Sequence, residues 1–152
     1  MTLSTHYVDE GGAPALRITG RDLAALPKEL RRRLAPKLAA AGERVRAEAA
    51  SNAAWSSRIP PALSLKVSFS KGTPGVTIVA DAAAAPHARA FEGMVQRTFR
   101  HPVFQVPGRD VVWVTQDTRP FLRPAVQSVG ARFVDDVVAA VDEALDATGF
   151  KH

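Results

Sequence analysis

Two stretches of the chain carry a helical repeat of apolar residues, and an alternating stretch lies between them. From Asp22 onward, Leu23, Leu26, Leu30, Leu34, Leu38, Ala41 and Val45 recur at spacings of three and four. That spacing lines one face of an α-helix. Lys28, Arg32, Lys37, Arg44 and Glu48 fall on the opposite face. Asp22 is positioned to cap the start, and Pro27 suits a first helical turn. Pro36 falls inside the stripe and is expected to kink or split the helix, because it removes a ladder bond and crowds the preceding turn. Helix is expected to fade at "ASNAAW", where Ser51 and Asn52 favour turns.

"ALSLKVSFS" then alternates, with Leu63, Leu65, Val67 and Phe69 on one face and Ser64, Lys66, Ser68 and Ser70 on the other. This is the pattern of a half-buried strand. "KGTPG" reads as a turn and "VTIVA", residues 76–80, as the returning strand of a hairpin. "DAAAAPHARAFEGM" fits either a loop or a short helix before Gly93. "DVVWVTQ" predicts a third strand, with Val111, Trp113 and Thr115 on one face and Val112 and Val114 on the other. Apolar residues on both faces point to an inner strand. Beyond Pro120 and Pro124, a second helical stripe runs through Leu122, Val126, Val129, Phe133, Val137, Val141 and Leu145, with Gly149 as its stop.

Residues 1–19 show no sustained period, and "DEGGAP" is turn-like. They are expected to form a flexible leader, with at most a short strand at "ALRIT". Residues 20–148 then make a single domain, and 149–152 a C-terminal tail. The expected fold is α+β: a long N-terminal helix kinked or split at Pro36, a small antiparallel sheet with an extended loop, and a long C-terminal helix packed on the sheet. Its expected core comprises Leu30, Leu34, Leu38, Leu65, Val67, Phe69, Trp113, Phe121, Leu122, Phe133, Val137 and Val141.

Composition narrows the function classes. With 152 residues the chain can bury one real core. It has no cysteine, which excludes disulfides and thiolate metal sites. No apolar run reaches the length of a membrane span, and the first twenty residues lack a signal-peptide core. The net charge is +5 and the pI about 10.2, values that invite a nucleic-acid reading. Their distribution favours a part that docks against copies of itself or a partner instead. Arg31–Arg33 is the one compact basic run and is interleaved with Glu29, Glu43 and Glu48, whereas Asp135, Asp136, Asp142, Glu143 and Asp146 make the C-terminal segment acidic. Complementary segments of this kind set register at interfaces.

No catalytic constellation stands out. His6, His87, His101 and His152 are isolated, without carboxylates at ligand spacing. No Gly-x-Ser-x-Gly turn presents a nucleophile, and no glycine-rich loop opens a helix to cradle phosphate. Asp135 and Asp136 are adjacent on a helix and so diverge by about 100°. Neither an enzyme nor a cofactor is expected.

The stretch "RTFRHPVFQVPGRDVVWVTQDTRPFLRPAV", residues 97–126, interleaves aromatics, prolines and arginines. Phe99, Phe104 and Trp113 beside Arg97, Arg100 and Arg109 could stack bases, or Phe104 and Trp113 could be core residues of a strand pair. Together with "VRAEAASNAAWSSRIPPALSLKVSFS", "APHARAFEGM" and "RHPVF", followed by "WV…Q…RPFLRPAV", the chain resembles a tailed-phage family of neck proteins or tail components. The resemblance spans roughly residues 20–148. It departs at "WSSRIP", where many members have "VDTG", so the link after the first helix is built differently.

The resemblance implies a structural protein of the virion, at the head–tail junction of a siphophage-like particle, made in the host cytoplasm. It implies a ring of copies, six-fold by the symmetry of such tails, contacting adjacent neck, stopper or tube proteins without membrane or specific nucleic acid. In that setting "RTFRHPVFQVPGRD" is expected to leave the sheet and lie on a neighbouring subunit. Arg97, Phe99, Arg100, His101, Phe104 and Arg109 would form one side of the contact, and Asp142, Glu143 and Asp146 the other. The competing readings are a long hairpin closing on its own domain and, for function, a small nucleic-acid-binding protein using the Arg31–Arg33 helix and the loop arginines.

Overall fold

The computed structural model describes residues 4–10, 12–94, 96–103 and 110–147. The fold is α+β. Two strands, β1 (Ser4–Glu10) and β2 (Ala13–Thr19), open the chain as an antiparallel hairpin. A 3₁₀ turn over Arg21–Ala25 leads to helix α1 (Lys28–Asn52). A short helix α2 (Ile59–Ala62) precedes the second hairpin, β3 (Leu63–Ser68) and β4 (Gly75–Ala80). Helix α3 (Ala88–Glu92) follows, then strands β5 (Thr98–Val103) and β6 (Val112–Asp117), and finally helix α4 (Leu122–Ala147).

The first four strands form one antiparallel sheet in the order β1-β2-β4-β3. Residues 4–19 are therefore half of the sheet and not a flexible leader, and the anticipated strand at "ALRIT" is a central one. The cause of the misreading is visible in β2. Ala13, Pro14, Ala15, Leu16 and Ile18 are all buried, so the strand is covered on both faces and shows no polar alternation. Its small residues also weaken any apolar signal. Leu16 pairs with Ile78 and Ile18 with Val76 across the β2–β4 ladder, aiming both pairs at the helices.

Helices α1 and α4 pack against each other on that face, and α1 also lies on β3 and β4. The buried stripe of α1 is Leu30, Leu34, Leu38, Ala41, Val45 and Ala49, with Gly42 among them. Gly42 lets the helix approach the sheet: a Cβ there would sit 2.6 Å from Leu65 Cδ1 and 2.7 Å from Val76 Cγ1. Phe121, Leu122, Phe133 and Val137 bring α4 into the same core. Leu65, Val67, Phe69 and Val141 pack against it partly buried. Burying each large apolar side chain is worth about 1.5–3 kcal/mol, so these stripes hold the layers together.

Pro36 lies within α1, which continues as one helix from Lys28 to Asn52 and is not split. Pro27 takes the N-cap position, and Asp22 belongs to the 3₁₀ turn. The segment that read as loop or helix contains α3, closed by Gly93 at φ 76°. Pro124 sits in the first turn of α4, where a missing N–H costs little. The stop at Gly149 and the tail 149–152 lie outside the described residues.

The β5–β6 hairpin belongs to a separate two-stranded sheet. Trp113, expected in the core on an inner strand, is exposed instead. Val111, Val112, Trp113 and Val114, at the start of β6, are between 40% and 55% exposed among the described residues. Apolar residues on both faces of a strand mark burial on both sides in an inner strand. In this hairpin they mark a surface left open.

Candidate interaction surface

The hairpin is anchored at its base by a buried carboxylate and a run of aromatic rings. Glu92, at the end of α3, is only 2% exposed. Its Oε2 accepts hydrogen bonds from the backbone N–H groups of Phe121 (2.8 Å) and Leu122 (2.9 Å), and its Oε1 from that of Arg123 (2.9 Å). These are donors that the start of a helix leaves unpaired, and a negative charge there also complements the helix dipole. Asn52, at the end of α1, donates from Nδ2 to the Phe121 carbonyl at 3.2 Å. The Arg123 guanidinium lies 5.4 Å from the centre of the Tyr7 ring on β1. Three segments thus converge on "PFLRPA", which ties the "FE" and "PFLRPA" motifs to one structural joint.

Tyr7 registers this joint electrostatically. Its hydroxyl pKa is raised above the ordinary tyrosine value, first by burial and next by the Glu92 charge, with Arg123 acting in the opposite sense.

Beside the joint, Trp55, Phe91, Phe99 and His101 form a continuous ring contact, with successive centroids 4.6, 4.9 and 5.9 Å apart. Arg119 caps it 5.4 Å from the Trp55 ring centre. Backbone bonds from Thr118 N–H to the Arg97 carbonyl (3.1 Å) and from Arg119 N–H to the Phe91 carbonyl (2.8 Å) close the base. Phe99 and His101 are consequently engaged within their own chain. Beyond them the hairpin leaves the body. Arg100 and Trp113 share a face, with the guanidinium 5.7 Å from the ring centre. Arg97 is exposed, while Phe104 and Arg109 lie outside the described residues.

The acidic residues of α4 divide into two sets. Asp136 pairs with Arg44 of α1 at 2.7 Å, and Glu143 pairs with Lys37. Glu143, expected to serve an intersubunit contact, therefore already bridges the two helices. Asp135, Asp142 and Asp146 face outward without an ion pair among the described residues. The basic run of α1 is similarly engaged. Arg31 donates from Nε to the Leu26 carbonyl at 2.6 Å, while Arg32 and Arg33 both meet Glu29, at 2.8 and 3.4 Å.

Among the described residues, no three of His, Asp and Glu gather as metal ligands would, and no helix is long and apolar enough to cross a membrane. An apolar hollow of about 420 Å3 lies between the two long helices, lined by Leu26, Pro27, Leu30 and Leu145 among others. No family model, curated protein or solved structure matches the chain. The function therefore rests on the surface itself. Sequence reasoning did not single out Glu92 as the residue that holds the start of α4. Glu92 stands between Phe91 and Gly93, 30 residues before Leu122 at the start of the helix it serves, so no local pattern marks it.

Proposed function

We propose that the protein is a structural component of a tailed-phage particle at the head–tail junction, acting by protein–protein contacts within a ring of copies. The observation that carries this reading is the hairpin: a two-stranded arm, fixed at its base, with four consecutive large apolar residues open to water. Trp113 lies on one face of the arm and Val112 and Val114 on the other, and exposed large apolar side chains on both faces support an interaction role. The order and spacing of the "FE", "RHPVF" and "RPFLRPA" motifs, similar to phage neck proteins, supply the setting. Six copies would follow the symmetry of the tail.

Antibody labelling tests the reading directly. Gold particles directed at the chain in intact virions are expected at the junction between head and tail. Labelling spread along the tail tube or over the capsid would contradict it. Salt dependence separates this role from nucleic-acid binding by the Arg31–Arg33 helix, which predicts affinity falling steeply with salt and with Arg→Ala changes there.

A further inference from the structure

We propose that the free edge of β6 pairs antiparallel with β6 of a second copy, so that the two hairpins form one four-stranded sheet. This goes beyond the ring reading and describes the chain in solution. A two-stranded hairpin is marginal alone and gains from a further strand, and among the described residues β5 and β6 pair with no other strand. The Thr118 N–H donates to the Arg97 carbonyl at 3.1 Å, which sets the direction of the main-chain groups along the hairpin. Bonded and unbonded pairs alternate in an antiparallel ladder. Val112, Val114 and Gln116 therefore turn their N–H and C=O groups toward β5, while those of Trp113, Thr115 and Asp117 point away from it.

This edge lies between the two faces of the arm, so the exposed Trp113 on one and Val112 and Val114 on the other all flank it. Charged residues and prolines are the usual protection of an edge against strand addition. The outer strands of the larger sheet carry Asp9 on β1 and Lys66 on β3, and β5 carries Arg100 and Pro102. Pro102 takes an outward position, where its missing N–H removes a donor from that edge. On the β6 side, the run from Val111 to Gln116 has no charge and no proline. Its valines, tryptophan and threonine favour strands.

The strand also complements itself. Only a register that sets outward residues against outward residues can bond. Opposing Asp110 to Asp117 would pair an inward residue with an outward one, so the ladder excludes that repulsive register. With Trp113 opposite its counterpart, Val111 meets Thr115, Val112 meets Val114 and Asp110 meets Gln116. Asp117 then falls opposite position 109, an arginine in the sequence, so opposite charges meet at both ends of the pair. Aromatic and β-branched neighbours across the new ladder add to its stability. The contact is isologous and closes on two copies, whereas a ring needs heterologous contacts.

Proline substitution on the two edges tests the pairing, because proline at an outward position removes an edge donor without touching the hairpin's own ladder. Sedimentation of the intact chain is expected to show a dimer. Thr115→Pro is expected to weaken it roughly tenfold or more, since each lost bond is lost twice in a two-fold pair. Thr98→Pro, the same change on the opposite edge, is expected to leave the dimer in place. Hydrogen exchange reads the same contact in the unaltered chain: the Trp113 and Thr115 amides should slow as concentration rises, and the Thr98 and Arg100 amides should not. A chain that stays monomeric at its highest soluble concentration, a dimer that Thr115→Pro leaves intact, or protection on the outer edge of β5 instead would overturn the pairing. The head–tail reading is judged separately, by where the chain sits in virions, and survives either result.

Discussion

At the residue scale, Glu92 is the most consequential side chain outside the apolar core. It is buried, charged and bonded to three backbone N–H groups at the start of α4. Truncation leaves those donors unpaired in a dry site. Glu92→Ala is expected to cost about 3 kcal/mol, read as a lowered urea midpoint with an unchanged m-value. Glu92→Gln keeps one acceptor oxygen and should cost about half as much. Tyr7 provides a second readout, because it is the only tyrosine in the chain. Its phenolate absorbance should titrate above the ordinary tyrosine pKa, and Glu92→Gln should move the midpoint down. A folded-state pKa above the unfolded one means stability that is fully present below the unfolded value. That stability is lost as pH rises through the folded one. Tyr7→Phe should therefore flatten the alkaline limb of the stability curve. None of this was legible beforehand, because a carboxylate serving a helix 30 residues later leaves no local period.

At the element scale, strands and helices were legible where one face is wet. The stripes of α1 and α4 and the alternation of β3 announce their buried sides directly. β2 did not, since covering both faces erases alternation, and β6 misled because apolar residues on both faces have two possible causes. Close packing between elements gives further tests. A Cβ at Gly75 would lie 2.0 Å from the Ile18 carbonyl oxygen, on a backbone with φ 135°. Gly75→Ala is accordingly expected to cost at least about 3 kcal/mol. At Gly42 the obstructing atoms are side-chain methyls, and alanine's helix propensity returns about 1 kcal/mol. Against an overpacking cost of about 1–3 kcal/mol, Gly42→Ala should lose only about 1 kcal/mol. Pro36 acts in the other direction. It is exposed in the interior of an unbroken α1, and Pro36→Ala restores an N–H to the ladder, with an expected gain of about 1–3 kcal/mol in thermal or urea unfolding.

At the scale of the whole molecule, three features carry the assembly account. The core is shared by both long helices and one face of the sheet. The joint at Glu92 and the aromatic contact from Trp55 to His101 fix the hairpin to that core. The hairpin's outer part and the outward face of α4 then remain as the places where large apolar side chains are exposed among the described residues, besides Trp55. Phe99→Ala would detach the arm from its own body as well as disturb any contact, so Trp113→Ala is the cleaner probe of assembly.

The most direct measurement is electron microscopy of particles produced with and without this chain. Its loss is expected to leave filled heads and tails unjoined, or tails of irregular length, with the defect corrected by supplying the intact protein but not the Trp113→Ala variant. Complete, infectious particles formed without the chain would contradict a role at the head–tail junction.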